Sequence, residues 1–274
     1  QAIYYIGNHL DSIDHWERAS YGYLRSLERL LSRNLRYRLM RLPALTDGRL
    51  LRRYKRFFAD VELPDGRTVT AHCPNTGSMR SCLATGAAVQ LSYHDNPRRK
   101  LKWTLERIDM GSGWVGVNTV IVNSVIADAL ERGEIEQFSK CGAIRREVKV
   151  AHPGLEASRL DFIIADESGQ SVYIEVKNVT LYESGFLQFP DAVSVRATKH
   201  LNVLRKLVGE GNRSVILFAI NRPEGSCFRP AWQVDPDYAG ALKAAVKNGV
   251  ELLPIRLIHR QQDIVVGGTL DYSL

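Results

Sequence analysis

Two short apolar runs in this chain each carry charge that a buried strand holds only at high cost. Leu160-Asp161-Phe162-Ile163-Ile164 and Val172-Tyr173-Ile174-Glu175-Val176-Lys177 read as buried strands, where an ionised side chain is expensive unless it is paired or bound to a cation. Between them lies Asp166-Glu167-Ser168-Gly169-Gln170, a turn by composition. Facing residues of a hairpin have numbers with a constant sum, and the pair Asp161 and Glu175 centres on Ser168, inside that turn. The spacing therefore predicts a hairpin with Asp161 directly across from Glu175, the side chains about 5 Å apart on one face. Lys177 shares that face by the two-residue strand period.

The same arithmetic for Glu147 and Asp161 centres on Gly154, within His152-Pro153-Gly154-Leu155-Glu156, so Glu147 is the candidate third carboxylate of one row. Like charges opposed in a sheet destabilise it, which makes such a row sensible with a divalent cation or a shifted pKa. Oxygen-only ligands suit Mg2+ or Mn2+ better than zinc. The expected metal ligands are Glu147, Asp161 and Glu175, and the expected catalytic residues are Asp161, Glu175 and Lys177. Such a group fits phosphodiester hydrolysis, with the metal activating water and Lys177 orienting the nucleophile or stabilising developing charge. The structural alternative is that Lys177 only neutralises Glu175, and that Asp161 caps or pairs with an arginine such as Arg159.

The rest of the chain places this hairpin in the second of two folded regions. Residues 1–38 read as an N-terminal amphipathic helical extension, with Ile13, Trp16, Tyr23, Leu27, Leu30 and Leu31 at roughly helical spacing and arginines between them. Residues 39–118 read as short strands broken by turns, including a hairpin about Pro64-Asp65-Gly66, and suggest a small antiparallel barrel of oligonucleotide-binding (OB) type. From 119 to 274 helices and strands alternate: helices over Val120–Glu131, Asp191–Leu207 and Pro236–Asn248, and strands over Ser214–Ile220 and Val250–Ile258 after the hairpin. That order predicts an α/β domain with a mixed sheet and crossover helices. The fold class expected is thus a two-domain α+β / α/β protein.

Charge points to an anionic partner, because 37 Lys and Arg face 30 Asp and Glu for a net +7. Arg53, Lys55 and Arg56 precede two phenylalanines, while Arg98, Arg99, Lys100 and Lys102 run into Trp103, a pattern suited to phosphate contacts beside base-stacking rings. The alternative is a solvated loop beside a core aromatic. Lys199, next to His200, joins the candidate nucleic-acid contacts, against the plain reading of a solvated helix face. His72-Cys73-Pro74-Asn75-Thr76-Gly77 reads as a shaped loop suited to phosphate binding through its backbone amides. Four widely spaced cysteines form no C-x-x-C pair, which argues against a zinc ribbon or dithiol motif and for reduced, mostly buried thiols. No apolar stretch of about 18 residues and no leader pattern is visible, so a cytoplasmic protein without a membrane partner is expected.

Several of these motifs together resemble the sugar fermentation stimulation protein A family. The resemblance rests on Arg53-Tyr54-Lys55-Arg56-Phe57, His72-Cys73-Pro74-Asn75-Thr76-Gly77-Ser78-Met79, Val117-Asn118-Thr119, Ser158-Arg159-Leu160-Asp161-Phe162, Ile174-Glu175-Val176-Lys177-Asn178-Val179-Thr180-Leu181, Phe189-Pro190-Asp191-Ala192-Val193 and Lys199-His200-Leu201. It implies an OB-like barrel followed by a restriction-endonuclease-like domain of the PD-(D/E)xK kind, whose acids and lysine match Asp161, Glu175 and Lys177. It also implies DNA binding and a link to the regulation of sugar metabolism. Two readings then stand: a divalent-metal-dependent nuclease acting on nucleic acid, most simply DNA, or a non-catalytic DNA-binding regulator on a nuclease-like scaffold. A third, a module that binds single strands through the barrel, would tolerate loss of Lys177. Homo-oligomerisation is left open by the sequence, and Asp191 is a motif position without an assigned role.

Overall fold

A computed structural model describes residues 41–151 and 157–274. The expected N-terminal helix and the turn about Gly154 lie outside the described residues.

The first half is a closed five-stranded barrel. Strands β1 (Leu45–Tyr54), β2 (Phe58–Glu62) and β3 (Thr68–His72) form an antiparallel meander, and β1 also pairs with β4 (Ala88–Tyr93), which pairs with β5 (Trp103–Asp109). Parallel pairing of Ala71 with Trp103 and of His72 with Thr104 joins β3 to β5 and closes the ring. The β2–β3 hairpin turns about Pro64-Asp65-Gly66 as the sequence predicts, with Gly66 at φ 82°, a conformation glycine takes without strain. Near Arg52, β1 shifts register, the kind of bulge that lets one strand bend between two partners. Inward-facing Leu50, Ala59, Val61, Leu91, Leu105 and Ile108 fill the barrel. A short strand, β6 (Trp114–Gly116), extends β5.

The second half is built on a six-stranded mixed sheet. Its order runs β15 (Ile264–Thr269), β14 (Glu251–His259), β12 (Arg213–Ile220), β9 (Ser171–Val179), β8 (Ser158–Ala165), β7 (Ile144–Val150). The centre is parallel, β9 with β12 and β12 with β14, and both margins are antiparallel. Helix α1 (Val122–Glu131) covers one face through Val122, Val125, Ile126 and Leu130, packed against Phe162, Ile174 and Leu217. Helices α2 (Val195–Gly209) and α3 (Pro236–Lys247) cover the other through Leu201, Leu204, Tyr238 and Leu242, packed against Leu160, Ile216 and Phe218. The β12 run of eight residues is buried almost throughout, as a strand covered on both faces must be.

Some element limits differ from expectation. Helix α2 begins at Val195, four residues later than its periodicity suggests, because the Ser194 side chain caps it by accepting from the Ala197 N–H. A second sheet, β10 (Leu181–Glu183), β11 (Phe186–Phe189), β13 (Cys227–Pro230) and β16 (Asp271–Tyr272), was not expected, since strands of two to four residues show no period. All four cysteines are free thiols, two of them buried and two only half-buried.

The barrel and the sheet domain belong to one compact unit, Met40–Leu274. Arg107 is 1 % exposed on β5 and donates to the carbonyls of Arg260 and Gln261 at 2.5 and 3.2 Å. The Arg222 guanidinium donates to Ser81 Oγ at 3.0 Å and to the Thr180 carbonyl at 2.6 Å. Asp191 accepts from the Met79 N–H at 3.1 Å. Among the described residues no helix is long and apolar enough to cross a membrane.

Candidate active site

The acids predicted to face one another come close enough to interact, but they are not a ladder pair, because the sheet comes apart at that step. The β8–β9 ladder runs from Ala165↔Ser171 to Phe162↔Ile174 and stops there, although β9 continues to Val179. The register is the predicted one, and its next step would pair Asp161 with Glu175. At that step the strands fork. Leu160 turns to the α2 and α3 face, while Phe162 stays on the α1 face. Asp161 fills the gap: its Oδ2 accepts from the Val176 N–H at 2.7 Å, and its Oδ1 accepts from Asn123 Nδ2 on α1 at 2.6 Å.

Glu175 lies on the other side of the fork, 3 % exposed. Its Oε1 accepts from Lys177 Nζ at 2.5 Å and from His200 Nδ1 on α2, and Lys177 Nζ stands 3.4 Å from the same His200 nitrogen. Its Oε2 is buried with no hydrogen-bond partner. A buried carboxylate oxygen without a partner loses its hydration with nothing in return, so this atom calls for a cation or a donor that the chain does not supply.

The electrostatics separate the two acids. Burial, followed by the charge of Glu175, pushes the Asp161 carboxyl up to about 6, against the hydrogen bonds from Val176 and Asn123 and the charge of Lys177. Burial also acts to raise Glu175, yet the His200 hydrogen bond and the Lys177 charge outweigh it and hold this carboxyl below the usual glutamate range. An acid held ionised beside an acid held reluctant is the arrangement that a divalent cation would relieve.

Glu147 does not join them. It stands opposite Asp161 in register, but the β7–β8 pairing skips that position and Glu147 has φ 53°, which turns its side chain out. There it is 58 % exposed and ion-paired with Arg159 at 3.6 Å. Among the described residues no group of three His, Cys, Asp or Glu side chains is arranged to hold a metal. Arg159, considered a partner for Asp161, is therefore the partner of Glu147.

The basic candidates divide in the same way. Arg53 points inward, its guanidinium donating to the carbonyls of Arg56, Asn75, Gly77 and Ser78. It shapes the loop 75–78 and is not available to phosphate, a correction to its expected role. Two of that loop's amides are also taken: Asn75 Oδ1 accepts from the Gly77 N–H and Asp191 from the Met79 N–H, so one anion the loop binds is the chain's own carboxylate. This gives Asp191 its role, and Gly77 is required there because a Cβ would stand 2.2 Å from Asp191 Oδ2. Lys55 and Arg56 are exposed at the β1–β2 turn, as are Arg98 and Lys100 beside β5. Arg99 donates to Thr104 Oγ1 at 2.8 Å, and Lys102 pairs with Asp95 at 3.3 Å. Trp103 packs edge-on against Tyr93, ring centroids 4.9 Å apart. Lys199 is half-buried and engaged in an interaction.

The sequence places His200 beside Lys199 on a helix face expected to be basic or solvated, and within the family motif Lys199-His200-Leu201. It is instead 4 % exposed, on the stripe of Ala197, Leu201, Leu204 and Leu207 that packs on the sheet. The 3.6-residue period beginning at Ala197 carries that signal. Exposed Arg145, Arg146 and Lys149 on the edge strand β7 add basic side chains that belong to none of the sequence motifs.

The chain matches a family model described as "SfsA N-terminal OB domain" over residues 51–117 and one described as "Sugar fermentation stimulation protein RE domain" over residues 120–263. A sugar fermentation stimulation protein homolog of Desulfotalea psychrophila is 44 % identical over 227 residues, covering 82 % of this chain and 94 % of the relative. A homolog of Magnetococcus marinus is 45 % identical over 230 residues, covering 84 % and 97 %. The solved structure of Pyrococcus furiosus SfsA in complex with Ca2+ is 27 % identical, with a TM-score of 0.77 over 86 % of this chain and 99 % of that one.

Proposed function

The chain belongs to the sugar fermentation stimulation protein family, and from that premise and the forked site we propose that it is a divalent-metal-dependent nuclease acting on DNA. The observation that carries this reading is the unpartnered, buried Glu175 Oε2 beside a carboxyl raised to about 6. Asp161 and Glu175 would hold the cation, Mg2+ or Mn2+ in the working enzyme, and their donor set of hard oxygens suits it. The Ca2+ complex of the Pyrococcus furiosus relative supports a divalent-cation site in the family. When bound, such a cation supplies Lewis acidity toward a phosphodiester and lowers the pKa of a ligating water.

The chain's own residues would do the rest. Lys177, anchored on Glu175 and His200, presents an ammonium at the mouth of the fork, where it can orient a water and meet charge developing on a phosphoryl oxygen. Asn123 and the Val176 amide fix both oxygens of Asp161, so this ligand needs little reorganisation. Exposed Arg145, Arg146 and Lys149 on the neighbouring edge strand would follow the phosphate backbone.

One observation favours the non-catalytic reading, a DNA-binding regulator of sugar metabolism genes: Lys177 already ion-pairs with Glu175, His200 hydrogen-bonds it, and Glu147 stays outside the pair. The deciding experiment incubates labelled single- and double-stranded DNA and RNA with Mg2+, Mn2+ or EDTA, using the native protein, Asp161→Ala and Lys177→Ala. Metal-dependent cutting that falls at least 100-fold in both variants is expected. Binding without cutting under every condition, unchanged in the variants, would leave the regulator.

A further inference from the structure

Beside the fork opens a cleft of about 340 Å³ between the barrel and the sheet domain. That volume lies near the small end of the roughly 300–1,000 Å³ typical of small-molecule pockets. Three of its walls lead directly to the candidate site. Asn178 in the cleft follows Lys177 on β9, Thr119 lies four residues before Asn123, and Ser194 caps the helix that carries His200 about 9 Å farther along its axis.

The chemistry of the lining is specific. Much of its polarity is spent: Asp191 on Met79, Gln188 on Glu183 and Gln233, Thr119 on the Pro74 carbonyl. Asn178 is different: its Oδ1 is held by Asn221 Nδ2 at 2.9 Å, which fixes the amide, and among the described residues no partner takes its NH2. Exposed Thr76 adds a hydroxyl and Arg56 a cation at the rim.

Apolar side chains share the lining with these polar ones: Leu181, Phe189, Pro190, Ala192 and Val193. Among the described residues, eight large apolar side chains are exposed, and four of them line this cleft or follow a residue that does: Phe57, Val120, Val193 and Val195, the last at 81 %. An exposed valine and apolar Leu181, Phe189 and Pro190 beside polar Asn178 and Thr76 suit a flat, aromatic, hydrogen-bonding guest. A duplex, about 20 Å across, does not enter such a cleft, whereas one unstacked nucleotide does.

We propose that this cleft takes an unpaired nucleotide of the substrate, its base against the apolar lining and the Asn178 amide and its phosphate toward Arg56, so that the preferred substrate is single-stranded or locally unpaired. This rests on the nucleic-acid reading above and deepens it.

The test titrates the full chain, in EDTA so that nothing is cut, with a 12-nucleotide strand carrying a central 2-aminopurine, with the same strand fully paired, and with a duplex carrying 2-aminopurine as a one-base bulge. The single strand and the bulge are expected to bind at least 10-fold more tightly than the perfect duplex, with a change in 2-aminopurine fluorescence. Asn178→Ala and Thr76→Val are each expected to weaken single-strand binding about 5-fold and leave duplex binding unchanged. Thr76 is exposed, so folding is not at issue for that variant. Equal affinity for all three probes, or variants that weaken all probes alike or none, would overturn the cleft assignment. Cutting with Mg2+ but without this selectivity defeats the cleft alone; the selectivity without cutting in any metal defeats the nuclease alone.

Discussion

Asp161 keeps its charge against its surroundings, and that has a measurable cost. Its carboxyl is raised from 3.8 to about 6, so ionising it in the folded, cation-free protein costs about 3 kcal/mol. Because the folded value lies above the unfolded one, this group's contribution favours folding fully below pH 3.8 and is lost as pH rises through about 6. Asp161→Asn removes the charge but leaves one of two donors, Asn123 or Val176, facing an NH2, which returns about 1 kcal/mol of the gain. The expected outcome is a cation-free variant more stable than the native chain by up to about 2 kcal/mol at pH 8, with the difference vanishing or reversing near pH 4. Urea unfolding of both proteins at both pH values measures it, and an advantage over the native chain no larger at pH 8 than at pH 4 would refute the assignment. His200→Ala goes the other way: it strips a donor from a buried carboxylate and is expected to cost about 2 kcal/mol. Since Glu175 is also a proposed ligand, the variant is expected to bind Mn2+ at least 5-fold more weakly by calorimetry, a loss that damage away from the site would not produce.

Between elements, the contact of the Asn75–Met79 loop with Asp191 is a tight one. A methyl group on Gly77 would overlap the Asp191 carboxylate, so Gly77→Ala is expected to destabilise by about 2 kcal/mol. Asp191→Ala removes both the obstacle and the acceptor of the Met79 N–H. The two substitutions should therefore couple: Gly77→Ala should cost less than half as much in the Asp191→Ala background, as a double-mutant cycle of unfolding energies would report. What the sequence reveals at this scale is register. Facing numbers for β8 with β9 and β7 with β8 centre on Ser168 and Gly154, as the pairing confirms, because alternation and turn composition are local signals. What it hides is where the ladder ends. The fork at Asp161, the turned-out Glu147 and the inward Arg53 depend on tertiary packing against α1 and the loop 75–78, and no period encodes them. His200 was legible in principle from the apolar stripe of α2, but a histidine beside a lysine reads first as surface.

For the whole molecule, the cleft and the fork exist only while the barrel and the sheet domain stay joined, and buried Arg107 is a principal tie. Its guanidinium donates to Gln90 Oε1 on the barrel at 2.6 Å and to two carbonyls before β15, and it stacks over Trp114 at 4.8 Å. Further bonds cross the same boundary, Leu42 N–H to the Gln262 carbonyl and Gly116 N–H to the Asn221 carbonyl, both at 2.9 Å. Two cores tied by buried, directional bonds should unfold together, so calorimetry of the native chain is expected to give one transition with equal calorimetric and van't Hoff enthalpies. Arg107→Leu keeps the apolar stem but leaves the Arg260 and Gln261 carbonyls unpaired, at an expected cost of about 3 kcal/mol. If Arg107 couples the halves, its loss should split the transition into two, and single-strand binding should weaken with the barrel no longer held at the cleft. A single transition at lower temperature, with binding unchanged, would mean that the remaining bonds across the boundary suffice and that Arg107 serves only its own half.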